Sequence, residues 1–84
     1  MAFVYILKCR DGTLYTGSAK VLEARLRVHQ AGKGARYTRG RLPVTLVWHT
    51  ETDTWSDALK LEHRIKRLSR TAKDALIRGG DLPY

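Results

Sequence analysis

Cysteine is almost absent. The 84-residue chain has one, Cys9, so no internal disulfide can staple it and a stapled secreted mini-domain is excluded. No apolar run is long enough to cross a bilayer. The opening MAFVYILKCRDG has no basic start, no long apolar stretch and no small-residue cleavage site, so it does not read as a signal peptide. There are no internal repeats and no low-complexity segment. No G-x-x-x-x-G-K-[ST] occurs, so nucleotide hydrolysis has no support. Cys9, His29, His49 and His63 lack close-paired ligand spacing, which argues against zinc. Acidic residues are few: eight Asp and Glu face sixteen Lys and Arg, a formal net charge of +8. That balance argues against a binder of basic partners. It favours nucleic acid over an anionic membrane surface. Ten of the sixteen cations are arginine, the residue suited to bidentate phosphate contact.

The hydrophobic fraction is 43%, enough for one small core, and the length allows one domain rather than two. Phe3-Val4-Tyr5-Ile6-Leu7 is rich in β-formers and reads as a buried strand. Asp11-Gly12 is a hairpin turn signal. Leu14-Tyr15-Thr16-Gly17 returns as an antiparallel partner. From about Lys20 to Gln30 the period becomes helical through Leu22, Arg25, Leu26 and His29. Residues 32–41 hold three glycines and four cations and read as a basic loop ended by Pro43. Val44 to Trp48 reads as a third strand. Thr54 is the N-cap of a second helix over about Trp55 to Leu68, with an apolar stripe of Ala58, Leu59, Leu61, Ile65 and Leu68. Ser69 caps a third helix that Gly79-Gly80 stops.

The expected fold class is therefore α+β: a three-stranded antiparallel sheet with three helices in the order β-β-α-β-α-α. It forms one domain over residues 1–84, with a core of about 2–78 and a loose tail over 79–84. The helices would cover one sheet face in a two-layer sandwich. The other face would carry polar alternates and stay open to a ligand.

Several residues break this pattern. Glu62 lies on the apolar stripe of the second helix, where a carboxylate is costly unless paired or bound to a metal. It either pairs with Lys66 at i,i+4 or has a functional role. Arg25 and His29 are one turn apart and share the face of Leu22 and Leu26, which places them at the rim of the core. There an arginine suits a phosphate oxygen, or else snorkels to solvent or pairs with Glu23 or Glu51. Tyr5 and Tyr15 lie on the two hairpin strands and serve either packing or chemistry. Gly17 allows close approach of a ligand or makes a bend. The basic loop is either solvated or a clamp on a nucleic-acid backbone through Lys33, Arg36, Arg39 and Arg41, with Tyr37 free to stack on a base. His49 and His63 read as solvent-facing.

Taken together, these residues resemble the GIY-YIG nuclease superfamily. Phe3-Val4-Tyr5 followed by Tyr15-Thr16-Gly17 is similar to its paired signature. Arg25 stands ten residues after the second tyrosine, and Glu62 lies on a later helix. The basic loop and Ile65-Lys66-Arg67-Leu68-Ser69 resemble the small stand-alone bacterial branch. The likeness covers residues 2–78. Phe3 replaces the first glycine of the signature and Thr16 its isoleucine. Ser18 stands where some relatives carry a lysine, leaving Lys20 as the lysine that could reach in.

The resemblance implies a metal-dependent endonuclease acting on DNA, with Mg²⁺ or Mn²⁺ held by Glu62. It implies Tyr15 as the general base, with a pKa lowered by Arg25, and Tyr5 assisting. Arg25 would hold the scissile phosphate, and His29 would support it or shuttle a proton. Gly17, Lys20 and the basic loop would meet nucleic acid, in single-stranded or branched DNA. The implied setting is DNA repair, recombination or uptake in a bacterial cytoplasm, with no membrane and with a homodimer as one way to gain specificity. The alternative is a non-catalytic nucleic-acid-binding module of the same fold.

Overall fold

In a computed structural model, described over residues 1–80, β1 (Ala2–Lys8) is the centre of an antiparallel sheet. β2 (Leu14–Ala19) pairs along one edge of it and β3 (Thr45–Thr52) along the other. α1 (Leu22–Gln30) follows β2, and α3 (Trp55–Lys66) and α4 (Arg70–Ile77) follow β3. The order β-β-α-β-α-α is the one the sequence implies. One turn of helix, α2 (Arg36–Arg39), is added inside the basic loop. The last part of the expected loose tail, residues 81–84, lies outside the described residues.

Local chemistry sets these boundaries. Thr54 caps α3 by accepting from the Asp57 amide at 3.0 Å, and Ser69 caps α4 by accepting from the Ala72 amide at 3.1 Å. In the hairpin turn, Asp11 Oδ1 accepts from the Thr13 amide at 3.1 Å and the Thr13 hydroxyl at 2.6 Å. Arg41 donates to Asp11 Oδ2 at 3.0 Å, and Arg70 donates to the Gly12 carbonyl at 2.9 Å. The basic loop and α4 thus grip the same turn from two directions.

The second face of the sheet is not open. Ala2, Val4 and Ile6 of β1 pack on Ala58, Leu61 and Ile65 of α3 and Leu76 of α4. Tyr5 and Leu7 point the other way, into a second cluster with Ala19, Val44, Leu22 and Leu26. β1 has no polar alternates over residues 3–7, so each of its faces needs a cover. α1 and the loop provide the second one. Each fully buried aliphatic side chain here contributes roughly 2 kcal/mol of burial. The apolar stripe of α3 is narrower than expected, because Leu59 is 45% exposed. Thr16, at the isoleucine position of the signature, is buried, and its hydroxyl has no partner among the described residues. Such a group costs about 1–3 kcal/mol.

Candidate active site

The hairpin register brings the signature together. Tyr5 faces Gly17 across β1 and β2, and Leu7 faces Tyr15. Tyr5, Tyr15 and Gly17 therefore share one face, with the two tyrosine rings 6.5 Å apart. A Cβ on Gly17 would lie 2.5 Å from the Tyr5 hydroxyl and 3.0 Å from the Tyr15 ring. Gly17 is the floor over which the Tyr5 hydroxyl passes, and the close approach it allows is filled by that side chain.

α1 supplies the next pair. His29 is not at the rim: it is 0% exposed. Tyr5 Oη lies 2.8 Å from His29 Nε2, and His29 Nδ1 lies 3.0 Å from Thr38 Oγ1. The Thr38 hydroxyl gives its one proton to the Ala35 carbonyl at 2.9 Å. With its proton on that carbonyl, its lone pairs face His29 Nδ1, an arrangement that suits Nδ1–H and leaves Nε2 to the Tyr5 hydroxyl. Burial holds the His29 pKa below its ordinary value of 6.5, and the Arg25 charge adds to that shift. Both influences favour the neutral imidazole. Burial also pushes the Tyr5 hydroxyl above 10.0, with Tyr15 and Glu62 adding to the rise and Arg25 opposing it. The lowering influence of Arg25 thus falls on Tyr5, where burial outweighs it.

Arg25 lines the same pocket, and no carboxylate among the described residues is within ion-pair distance of it. The alternatives of Glu23 and Glu51 fall away. Glu62 reaches the pocket from the opposite sheet face, with its side chain 15% exposed. The Ser18 hydroxyl donates to Oε1, and Lys66 Nζ lies 2.7 Å from Oε2. Of the two expected readings, the pairing with Lys66 is present, and the carboxylate it holds also lines the pocket. The cavity, about 610 Å³, is lined from one face by Tyr5, Tyr15 and Arg25 and from the other by Ser18 and Glu62. It wraps the free edge of β2.

The remaining expected contacts divide. Lys33, Arg36 and Arg39 are exposed on the loop, although Arg39 also donates to the Gly34 carbonyl at 3.3 Å. Arg41 is committed internally, to Asp11 and to the Tyr37 carbonyl at 2.7 Å. Tyr37 is not free to take a base between its faces. Tyr15 stacks on it at 6.0 Å and the Arg41 guanidinium lies 4.1 Å from its ring centre. Lys20 does line the pocket, but its ammonium sits over Trp55, 5.6 Å from the ring centre, rather than against a tyrosine. Trp55, at the start of α3, is 37% exposed at the same pocket. His49 and His63 are exposed, as expected. Among the described residues no group of three or more His, Cys, Asp or Glu side chains is arranged to hold a metal. No helix among them is long and apolar enough to cross a membrane.

Thr38, Ser18 and Trp55 are absent from the set the sequence singles out. Thr38 is hidden in a loop defined by its charges. Ser18 is visible only as a departure from the signature. Trp55 reads as a helix start, and its place at the pocket depends on how α3 crosses β2.

A β-hairpin carrying two tyrosines over a glycine, an Arg-His helix and a carboxylate from a later helix define a GIY-YIG catalytic domain. The model of that family matches residues 1–75, and the chain belongs to it. Its relatives are small. A UPF0213 protein of Halobacterium salinarum is 53% identical over 77 residues, covering 90% of this chain and 99% of the relative. One from Staphylococcus saprophyticus is 51% identical, over 93% of this chain and 95% of its own. The solution NMR structure of a UPF0213 protein from Bacillus halodurans has a TM-score of 0.62 at 41% identity, covering all of this chain and 90% of that one. A second NMR structure, of a protein from E. faecalis, gives 0.61 at 36% identity, over 90% of this chain and 81% of its own.

Proposed function

We propose that the protein is an endonuclease that hydrolyses DNA phosphodiester bonds in the pocket at the edge of β2. The observation that carries this reading is the convergence there of a hydroxyl beside a histidine, a guanidinium with no carboxylate partner among the described residues, and a carboxylate. Phosphodiester hydrolysis needs a deprotonated water, neutralised phosphate charge and a stabilised leaving oxygen.

Each requirement has a residue. Arg25 neutralises the non-bridging oxygens of the scissile phosphate. The Tyr5 oxygen lies at the pocket wall beside Arg25. As water attacks phosphorus, its proton passes to the Tyr5 oxygen while the Tyr5 proton passes to His29 Nε2. The phosphorus–oxygen bond to the leaving group breaks. Tyr5 needs no low pKa for this, because His29 is the final acceptor. Tyr15 lines the same wall and orients the water or the phosphate.

Glu62 fits a single-carboxylate divalent site. Mg²⁺ or Mn²⁺ keeps most of its waters and is held by one or two carboxylates together with substrate phosphate. Each Glu62 oxygen engages one donor and keeps acceptor capacity, and Lys66 must swing from Oε2 to admit a cation. Glu62 would hold a cation there, which would supply positive charge to the leaving oxygen. The exposed Trp55 beside Lys20 supports a substrate with unpaired bases, single-stranded or branched. The substrate class then separates repair and recombination, which present branched duplexes, from uptake, which presents single strands.

The test is Mg²⁺-dependent nicking of single-stranded, duplex and branched DNA by the wild type and Glu62→Gln. That substitution keeps volume and removes charge. Cleavage is expected to fall by orders of magnitude with folding retained. No cleavage by the wild type on any of these substrates, with binding intact, would leave a nucleic-acid-binding module.

A further inference from the structure

The basic loop carries its cations outward and one hydroxyl inward. Arg36 and Arg39 of α2 face solvent, whereas Thr38 between them is fully buried and ends on His29. We propose that Thr38 is a positioning residue of the active site: by accepting the Nδ1 proton of His29, it fixes the tautomer that leaves Nε2 free to take the proton of Tyr5. The inference rests on the nuclease reading for its catalytic consequence, but not for its structural content.

Thr38 Oγ1 has a single proton, and the Ala35 carbonyl holds it at 2.9 Å. The same carbonyl accepts the Thr38 amide at 3.0 Å, which sets the Thr38 side chain beside it. In that orientation the hydroxyl's lone pairs face His29 Nδ1, which suits Nδ1–H; the other tautomer would require the hydroxyl to give up the Ala35 carbonyl and turn its proton to Nδ1. Nor is there freedom for the ring to turn away. Gly34 lies against it so closely that a Cβ there would overlap Nδ1. Burial and the Arg25 charge both disfavour the doubly protonated ring.

The tautomer decides what Tyr5 shows to the substrate. With Nδ1–H, the Tyr5 proton points at Nε2 and its lone pairs face the pocket, ready to accept from water. With Nε2–H, His29 would donate to Tyr5, and the Tyr5 proton would point elsewhere, opposing an incoming nucleophile. Four residues of loop therefore carry both the cations offered to a DNA backbone and the hydroxyl that sets the proton acceptor.

The test reads the ring nitrogens directly. Long-range ¹H–¹⁵N correlation on the labelled protein without DNA is expected to show His29 as Nδ1–H. Thr38→Val, nearly the same shape without the hydroxyl, is expected to lose that pattern. Thr38→Ser is expected to restore it. With DNA, Thr38→Val should lower kcat by about tenfold or more while Kd, measured in Ca²⁺ to suppress turnover, holds. Thr38→Ser should recover the rate. An Nε2–H pattern in the wild type overturns the proposal outright, even if Thr38→Val fails to fold. So does a Thr38→Val protein that keeps both the Nδ1–H pattern and the wild-type rate. If the pattern follows the hydroxyl but no DNA is cut, the positioning role stands and the nuclease reading falls.

Discussion

Gly17 and Tyr5 are direct partners across the β1–β2 ladder, and the missing side chain of one is the space used by the other. Alanine at an ordinary strand glycine gains about 0.5–1 kcal/mol from lost backbone freedom. Here a Cβ would meet the Tyr5 hydroxyl at 2.5 Å, so the ring must shift. Gly17→Ala is expected to destabilise by about 1–3 kcal/mol, the range of overpacking. It should also break the Tyr5–His29 hydrogen bond, so cleavage falls further than stability predicts. Urea midpoints and nicking rates on the same preparation check both.

The proton route separates the two tyrosines. Tyr5→Phe removes the hydroxyl bonded to His29 and should lower turnover by roughly two to four decades, the usual worth of a general base. Tyr15→Phe should be milder. Kd in Ca²⁺ should hold for both. The wild-type rate should drop on the acid side only as pH falls below 6.5 toward the lowered His29 value. Equal losses in the two variants, or a rate that keeps climbing toward the range where free tyrosine ionises, would assign the base to Tyr15.

Stability should show the same groups. His29 has a folded pKa below its unfolded 6.5, so the unfolded chain binds more protons in acid. The stability it contributes is complete above 6.5 and is lost as pH falls through that value toward the folded one. Tyr5 has the opposite sign. Its folded pKa lies above 10.0, so its contribution is present below 10.0 and is lost as pH rises past it. Urea unfolding between about pH 5.5 and 7.5 should give a falling acid limb of at most roughly 1.4 kcal/mol per pH unit from this one proton. His29→Gln should flatten it. A wild-type curve already flat there would contradict the buried neutral imidazole.

The loop cations should not be equivalent. Lys33→Gln and Arg36→Gln should each flatten the salt dependence of DNA binding by about 0.7–0.9 in slope if they meet phosphates. Arg41→Gln should act on stability instead, since its guanidinium holds Asp11 and Tyr37. Fluorescence anisotropy over a salt series, beside melting curves, distinguishes the two effects. An unchanged slope in the first pair would make the loop a solvated segment.

Legibility tracked sequence locality. The strands and helices were readable because period, turn residues and caps agree over short windows, as at Asp11-Gly12, Thr54 and Ser69. Arg25 and Glu62 were readable as charges on apolar stripes. What escaped depends on distant segments meeting. His29 looked like a rim residue because α1 alone cannot show that Thr38, nine positions on, closes over it. Tyr37 looked available because its stacking on Tyr15 spans 22 positions. The open sheet face was expected from strand count, but the unbroken apolar run of β1 already required two covers. The short register between Tyr5 and Gly17 was set by a turn whose exact pairing only the folded hairpin fixes.

β1 is paired on both edges and buried on both faces, which gives it a kinetic meaning as well as a packing one. Amides of such a strand exchange with solvent only when the whole domain opens. Those of a loop exchange through small local openings. Tyr5 stands on the first kind of segment and Thr38 on the second. Warming should therefore release the imidazole's outer partner well before the sheet melts, and activity should fade at temperatures where the β1 amides remain protected.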